Sequence, residues 1–336
     1  MSASLIVLIP VILLGIVGVL CFVGCALNTH GTGDGTPFTS YTGTTVLLNP
    51  AIIAYWPLKE AADTLPAVEL ISGSNGNYID PTTAPALYPW PAYSIPNGAQ
   101  PDVLSAAAPG TIALAQPGIV KGDVDLLSGD PVPPACMVVN GCYVEAPFKV
   151  KFVPQTSFTV EAWVRVDWTA SDPDAFRFVV DMREFTPATT GLGICAKPLD
   201  DQPGFYQWRG IVGDGSAAFT LLDSKEAPFA LKDPAAAAGT THYLALTYDA
   251  GSQTLTLFVN GAQQVQATNV AYAPNTTQPL WIGAGAPYVP RRPQAAGVVA
   301  SPLFPFVGAI QDVAVYSAAL DPSVILVHLN NGNGTS

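Results

Sequence analysis

Charge is what this sequence has least of. Asp, Glu, Lys and Arg make up 11% of its 336 residues, where a quarter is usual. Lys and Arg number 13, the formal charge is −12, and Arg291–Arg292 is the only basic cluster. A surface that tracks phosphates needs many cations, so nucleic-acid binding is not expected. Lys and Glu, which favour helices, are scarce beside 30 Gly and 32 Pro, a balance that favours strands and turns. Gly-rich phosphate loops, G-x-S-x-G and H-x-x-x-H are absent around His30, His242 and His328.

The N-terminus lacks charge altogether. No Lys or Arg precedes Lys59, and residues 4–27 read SLIVLIPVILLGIVGVLCFVGCAL. At about 1.5 Å per residue, Leu5 to Leu27 is long enough to cross a hydrocarbon core of roughly 30 Å. A cleaved secretory signal would bring a basic start and a small-x-small cleavage site. A lipoprotein signal would place a small residue before the modified Cys, and Phe22-Val23-Gly24-Cys25 fits that only in part. The expectation is a retained transmembrane helix over residues 1–27. On it Gly15, Gly18, Cys21 and Cys25 share one face, which allows a second membrane helix to approach closely. The flanks carry no Lys or Arg to orient it. A short tail ahead of a large acidic domain places the C-terminal domain outside the cytoplasm, periplasmic or extracellular.

Residues 28–50 are rich in Gly, Thr and Ser and read as a flexible linker. Residues at about 80–135 hold many prolines and little periodicity, as an extended insertion would. Within it Tyr88, Trp90 and Tyr93 alternate with prolines that hold the backbone extended, presenting the rings to a protein partner, a glycan or the domain itself. The remainder alternates with a period of two. Phe158, Val160, Ala162, Val164, Val166 and Trp168 share one face, the core face; Thr159, Glu161, Trp163, Arg165 and Asp167 share the other, on which Glu161 and Asp167 are read as solvated. Ala250-Gly251-Ser252 and Asn260-Gly261 mark hairpin turns. Asp321 and Pro322 have the chemistry of a helix start. The fold class that follows is all-β, an antiparallel sandwich with one N-terminal transmembrane helix.

Several stretches resemble a known family. IIAYWPLKEAADTLPAVELISGSNGNY (52–78) is similar to its opening strand and turn, and YVEAPFKVKFVPQTSFTVEAWVRVD (143–167) to its T-V-E-A-W-V strand. THYLALTYDAGSQTLTLFVNG (241–261) is similar to its central hairpin. PLWIGAG and FVGAIQDVAVYSAALDPSVILVHLNNG are similar to its closing strands and short helix. The family is the laminin-G-like jelly roll of the concanavalin A-like lectin/glucanase superfamily. The resemblance implies one jelly-roll domain over 51–332, with residues 333–336 as a tail. That fold carries lectins, adhesion modules, glycosidases and scaffolds alike.

Departures from the family pattern bear on calcium, which some relatives bind. The closing G-x-I-D-E is here Gly308-Ala309-Ile310-Gln311-Asp312, one carboxylate fewer for a hard cation. Asp63 and Glu69, in the opening turn, are the candidate calcium ligands that remain; no other cofactor is implied. Retaining glucanases need carboxylates about 5 Å apart, and no E-x-D-x-E run occurs. No catalytic residue is assigned and no enzyme activity is expected. Among the soluble cysteines, Cys136, Cys142 and Cys195, the pairing stays open: a two-residue turn at Asn140-Gly141 would set Cys142 opposite Val139 and leave Cys136 on the wrong face. The functional expectation is a structural or accessory subunit docking on membrane-protein partners in a larger assembly, such as a photosynthetic or respiratory complex. The alternative is a carbohydrate-binding or adhesion module at the cell surface. The bilayer is a partner under both, and nucleic acid under neither.

Overall fold

In the computed structural model the described residues are 41–60, 65–79, 111–121, 135–140, 142–167, 176–185, 188–199, 201–202, 204–226, 228–230, 239–285 and 304–335. Their strands are β1 (Ile52–Trp56), β2 (Asn77–Ile79), β3 (Thr111–Pro117), β4 (Ala135–Asn140), β5 (Tyr143–Ala146), β6 (Phe158–Val166), β7 (Arg177–Asp181) and β8 (Leu192–Pro198). There follow β9 (Phe205–Gly213), β10 (Phe219–Asp223), β11 (Phe229–Ala230), β12 (Thr241–Asp249), β13 (Thr254–Val259), β14 (Ala262–Ala267), β15 (Leu280–Ile282) and β16 (Val307–Tyr316). One helix, α1 (Pro322–Gly332), closes the chain.

The first sheet runs β14-β13-β12-β6-β16-β4-β3, with β1 also on β16; the second runs β10-β9-β8-β7-β15-β5-β2, with β11 on β9. All pairings are antiparallel. A bulge divides β16: Val307–Ile310 pair with β4 and Val313–Tyr316 with β1. Val160, Ala162, Val164, Leu244 and Leu246 of the first sheet meet Ile194, Trp208 and Val212 of the second in one core. A Cβ on Gly210 would stand 2.5 Å from Cδ1 of Leu246, so this glycine lets the sheets approach. Asn260 (φ 50°) and Gly261 (φ 73°) form the tight turn between β13 and β14, which needs positive φ at both positions.

The inward face of β6 is as expected, and its other face is not. Glu161 and Trp163 are buried too, because β6 lies between β12 and β16 and its outward side is covered by α1 and by a single turn of π-helix, Tyr41–Val46. That turn falls inside the stretch read as a linker over 28–50. Tyr41 and Val46 dock against Trp163, Tyr243 and Ile325, so apolar burial fixes this turn on the domain; residues 28–40 lie outside the described residues. The Pro-rich insertion likewise contains a paired strand, β3, held on β4. β4 and β5 do not pair as a hairpin: β4 belongs to the first sheet and β5 to the second, so the chain changes sheets between them. Cys136, Cys142 and Cys195 are all buried.

Among the described residues no helix is long and apolar enough to cross a membrane. Residues 1–27, with Gly15, Gly18, Cys21 and Cys25, lie outside the described residues, as do Asp63, Tyr88, Trp90 and Tyr93.

Candidate functional site

Glu161 is the hub of the covered face. Its Oε1 accepts hydrogen bonds from Tyr41 Oη (3.1 Å) and Tyr316 Oη (2.6 Å), its Oε2 from Tyr243 Oη (2.5 Å) and His328 Nδ1 (2.8 Å). The register explains the convergence. Glu161 lies opposite Ala245 on β12 and Ala314 on β16; Tyr243 and Tyr316, two residues away on each, are its diagonal neighbours and reach it with long side chains. His328 comes from α1, whose buried stripe is Ile325, His328 and Gly332. Burial alone would raise the pKa of Glu161; the His328 charge and the tyrosine donors outweigh it and hold the carboxyl below its ordinary range. Burial would lower that of His328, and Glu161 keeps it above the usual value. Every oxygen of this carboxylate is committed and none faces solvent. Sequence reading placed Glu161 in water; the signal it passed over was a set of tyrosines on the two flanking strands and a helix whose one titratable residue is His328.

Beside this hub, at the start of α1, the same face opens into a groove of about 550 Å³. Hydroxyls line it (Thr156, Ser157, Thr247, Ser252, Thr254, Thr256 and Ser317), with the carboxamides of Gln263 and Gln266 and the carboxylates of Asp249 and Asp321. Lys, Arg and His are absent from the lining. Thr159, behind the groove, holds one wall in place: its Oγ1 donates to the Ala318 carbonyl and accepts from the Leu320 N–H, both at 2.9 Å. Asp249 accepts from Gly251 N–H and Ser252 Oγ, whereas Asp321 makes no side-chain cap bond to α1. Gln263 and Gln266 are exposed on the edge strand β14. The sequence assigned none of these residues to a site, because the groove joins β12–β14 to a segment some fifty residues further on.

Glu69, a candidate calcium ligand, is turned toward its own chain. It accepts from the N–H groups of Tyr55, Ile71, Ser72 and Ser74 and from Ser72 Oγ, at 2.6–3.1 Å. Burial would raise its pKa, and these donors reverse the shift. Five donors around one carboxylate do the organising that a cation would otherwise do, and they repel one. Among the described residues no group of three or more His, Cys, Asp or Glu could hold a metal ion. Gln311 also serves the fold: its Oε1 accepts from Ile119 and Val120 N–H, and its Nε2 donates to buried Asp312, which takes Tyr55 Oη at 2.5 Å. His242 faces the core between the sheets, against Trp208 and Phe229.

Residues 140–326 match the family model described as the concanavalin A-like lectin/glucanases superfamily (Laminin_G_3). The chain belongs to this superfamily. No curated protein matches it. Among solved structures, the botulinum neurotoxin serotype D ligand-binding domain in complex with N-acetylneuraminic acid is 10% identical, with 83% of this chain and 50% of that one covered, TM-score 0.48. The binding domain of botulinum neurotoxin DC in complex with rat synaptotagmin II is 12% identical (84% and 52% covered, TM-score 0.48). Domain 4 of a GH43 extracellular arabinanase from Geobacillus stearothermophilus, in complex with arabinotriose, is 17% identical (67% and 91%, TM-score 0.38). The chain spans about half the length of the two neurotoxin domains. At such identities the likenesses say nothing of what this chain binds.

Proposed function

We propose that this superfamily member is a non-catalytic recognition module, held at a membrane with its jelly roll outside the cytoplasm, whose groove binds a glycan. The observation that carries the reading is the groove: open, lined by hydroxyls, carboxamides and two carboxylates, and without a cation. Hydroxyls and amides donate and accept at once, which suits a ligand bearing many hydroxyls. The non-catalytic part of the reading is supported by Glu161 and Asp312, buried among donors, and by Glu69, engaged by its own loop; Asp249 and Asp321 of the groove are read as acceptors for ligand hydroxyls. A glycan array probed with the detergent-solubilised chain tests the reading. Neutral glycans should bind, and Gln263→Ala with Thr254→Val should weaken them; an array silent for the parent ends the proposal.

The accessory-subunit reading keeps one observation of its own, the uncharged stretch from Leu5 to Leu27 with Gly15, Gly18, Cys21 and Cys25 on one helical face. Under it, Gly18→Leu should strip co-purifying membrane proteins from the chain while glycan binding is unchanged. Intact mass separates both readings from cleavage: a mature chain starting near Cys25 or Asn28 would remove the anchor.

A further inference from the structure

The loop that Glu69 organises turns apolar side chains outward. Leu65 is 50% exposed, Val68 36%, Leu70 41%, Ile71 40%, and Val150, at the start of the turn Val150–Phe152, 62%. These are half of the large apolar side chains exposed among the described residues. Lys149 ties the two segments together, its Nζ 3.3 Å from the Gly73 carbonyl. Lys149 and Lys151 are exposed on either side of Val150.

Hydrogen bonds within the chain shape the loop. Glu69 gathers five donors, Ala67 and Gly76 exchange two backbone hydrogen bonds at 2.9 Å, and Leu70 N–H donates to the Tyr55 carbonyl. Among the described residues of the loop, Glu60 also turns inward, accepting from Val68 N–H and Tyr78 Oη. Glu60 and Glu69 are therefore turned onto the chain, while Lys149 and Lys151 stay exposed, Lys149 with one of its three donors on the Gly73 carbonyl.

We infer that this patch is a membrane-contact surface, its apolar side chains entering the outer layer of a bilayer that carries anionic lipid and its two lysines meeting the phosphates. The composition favours lipid over protein: protein interfaces concentrate Tyr, Trp and Arg and are depleted in Lys, and this patch is Leu, Ile, Val and Lys. Aliphatic side chains beside lysines suit the interface of an anionic leaflet. The inference rests on the anchor proposed above: residues 28–40 reach at most about 45 Å when fully extended, so the domain stays close to the bilayer.

The test uses the full chain in nanodiscs of phosphatidylcholine with or without phosphatidylserine. An environment-sensitive nitrobenzoxadiazole label is placed at Ile71→Cys, at Val150→Cys as a second probe, and at Phe205→Cys on β9 as the control. Emission at 71 and 150 should shift to the blue and be quenched by brominated acyl chains, with no such change at 205. Lys149→Glu with Lys151→Glu should reduce the effect by about half or more in phosphatidylserine discs. Equal quenching at 71 and 205, or a shift seen only after membrane proteins are added, overturns the inference. A chain that fails to stay with the discs speaks against the anchor alone; mixed with liposomes of the same lipids, the labelled chain then decides the patch by the same quenching.

Discussion

His328 Nδ1 lies 2.8 Å from Glu161 Oε2, and this contact joins the last helix to the central strand of the first sheet. Tyr41 reaches the other oxygen of the same carboxylate, so the earliest described turn and the last helix hang on one side chain. Asn331 Nδ2 donates to Thr45 Oγ1 at 2.7 Å and links the two covers directly.

Glu161→Gln should therefore loosen both ends of the domain. The amide replaces one acceptor oxygen by a donor that faces either a tyrosine hydroxyl or the His328 ring. Breaking a buried pair in this way costs about 3 kcal/mol, and the urea midpoint should fall accordingly. Tyr41→Phe leaves three donors on the carboxylate and should cost only about 1 kcal/mol. Equal midpoints for Glu161→Gln and the parent would mean that the cluster does not hold the helix.

The two buried histidines should shape stability in opposite directions of pH. His328 has its pKa raised, so its contribution is complete below the unfolded value, about 6.5, and is lost as pH rises through the folded value. Burial lowers that of His242 to about 4, and neither of its ring nitrogens has a hydrogen-bond partner. Between pH 6.5 and 4 the unfolded chain takes up a proton that the folded one refuses, so stability falls as pH falls. His242→Phe gives up no hydrogen bond and should remove about 2 kcal/mol of the loss between pH 7 and pH 5. Urea midpoints at pH 5, 7 and 9 check this; an unchanged acid limb would place the ring in water.

The architecture was legible because alternation and turn chemistry are local. The period of two along Phe158–Val166 and the Asn260-Gly261 turn each need only neighbouring residues, and both hold in the fold. Glu161 was misread because alternation separates two faces without saying what covers the outer one. Its cover comes from Tyr41, 120 residues before, and His328, 167 after. The groove was illegible for the same reason. Glu69 was noticed for its chemistry, but whether a carboxylate meets a cation or backbone N–H groups depends on loop conformation, which composition does not fix.

Thiol chemistry should report the burial of the three cysteines in the domain. Burial pushes the Cys136 pKa up to about 11 and that of Cys195 to about 12, and a thiol without thiolate character or access does not react. Cys136, Cys142 and Cys195 should resist alkylation in the native chain and all react after denaturation, as peptide mapping would show. Rapid native labelling at Cys195 would mean that the face of the second sheet opens.

Helix and sheet fit tightly at Gly332, in the last turn of α1. A Cβ there would stand 2.2 Å from Cζ2 of Trp163 and 2.8 Å from Cε2. The indole has little room to yield, since Tyr41 packs edge-on to it at 6.0 Å and Tyr243 lies 5.0 Å away between ring centres. Two effects oppose each other in Gly332→Ala. Helix propensity favours Ala by up to about 1 kcal/mol, whereas overpacking a filled site costs about 1–3 kcal/mol. At 2.2 Å the steric effect should win, lifting the last turn and straining the bonds from His328 to Glu161 and from Asn331 to Thr45. The variant should lose about 1–2 kcal/mol net. Trp163→Phe, itself destabilising through the space it leaves, should then be less harmful in the Gly332→Ala background than alone, a favourable coupling in a double-mutant cycle. Additive losses, or a stabilised Gly332→Ala, would mean that α1 does not rest on Trp163.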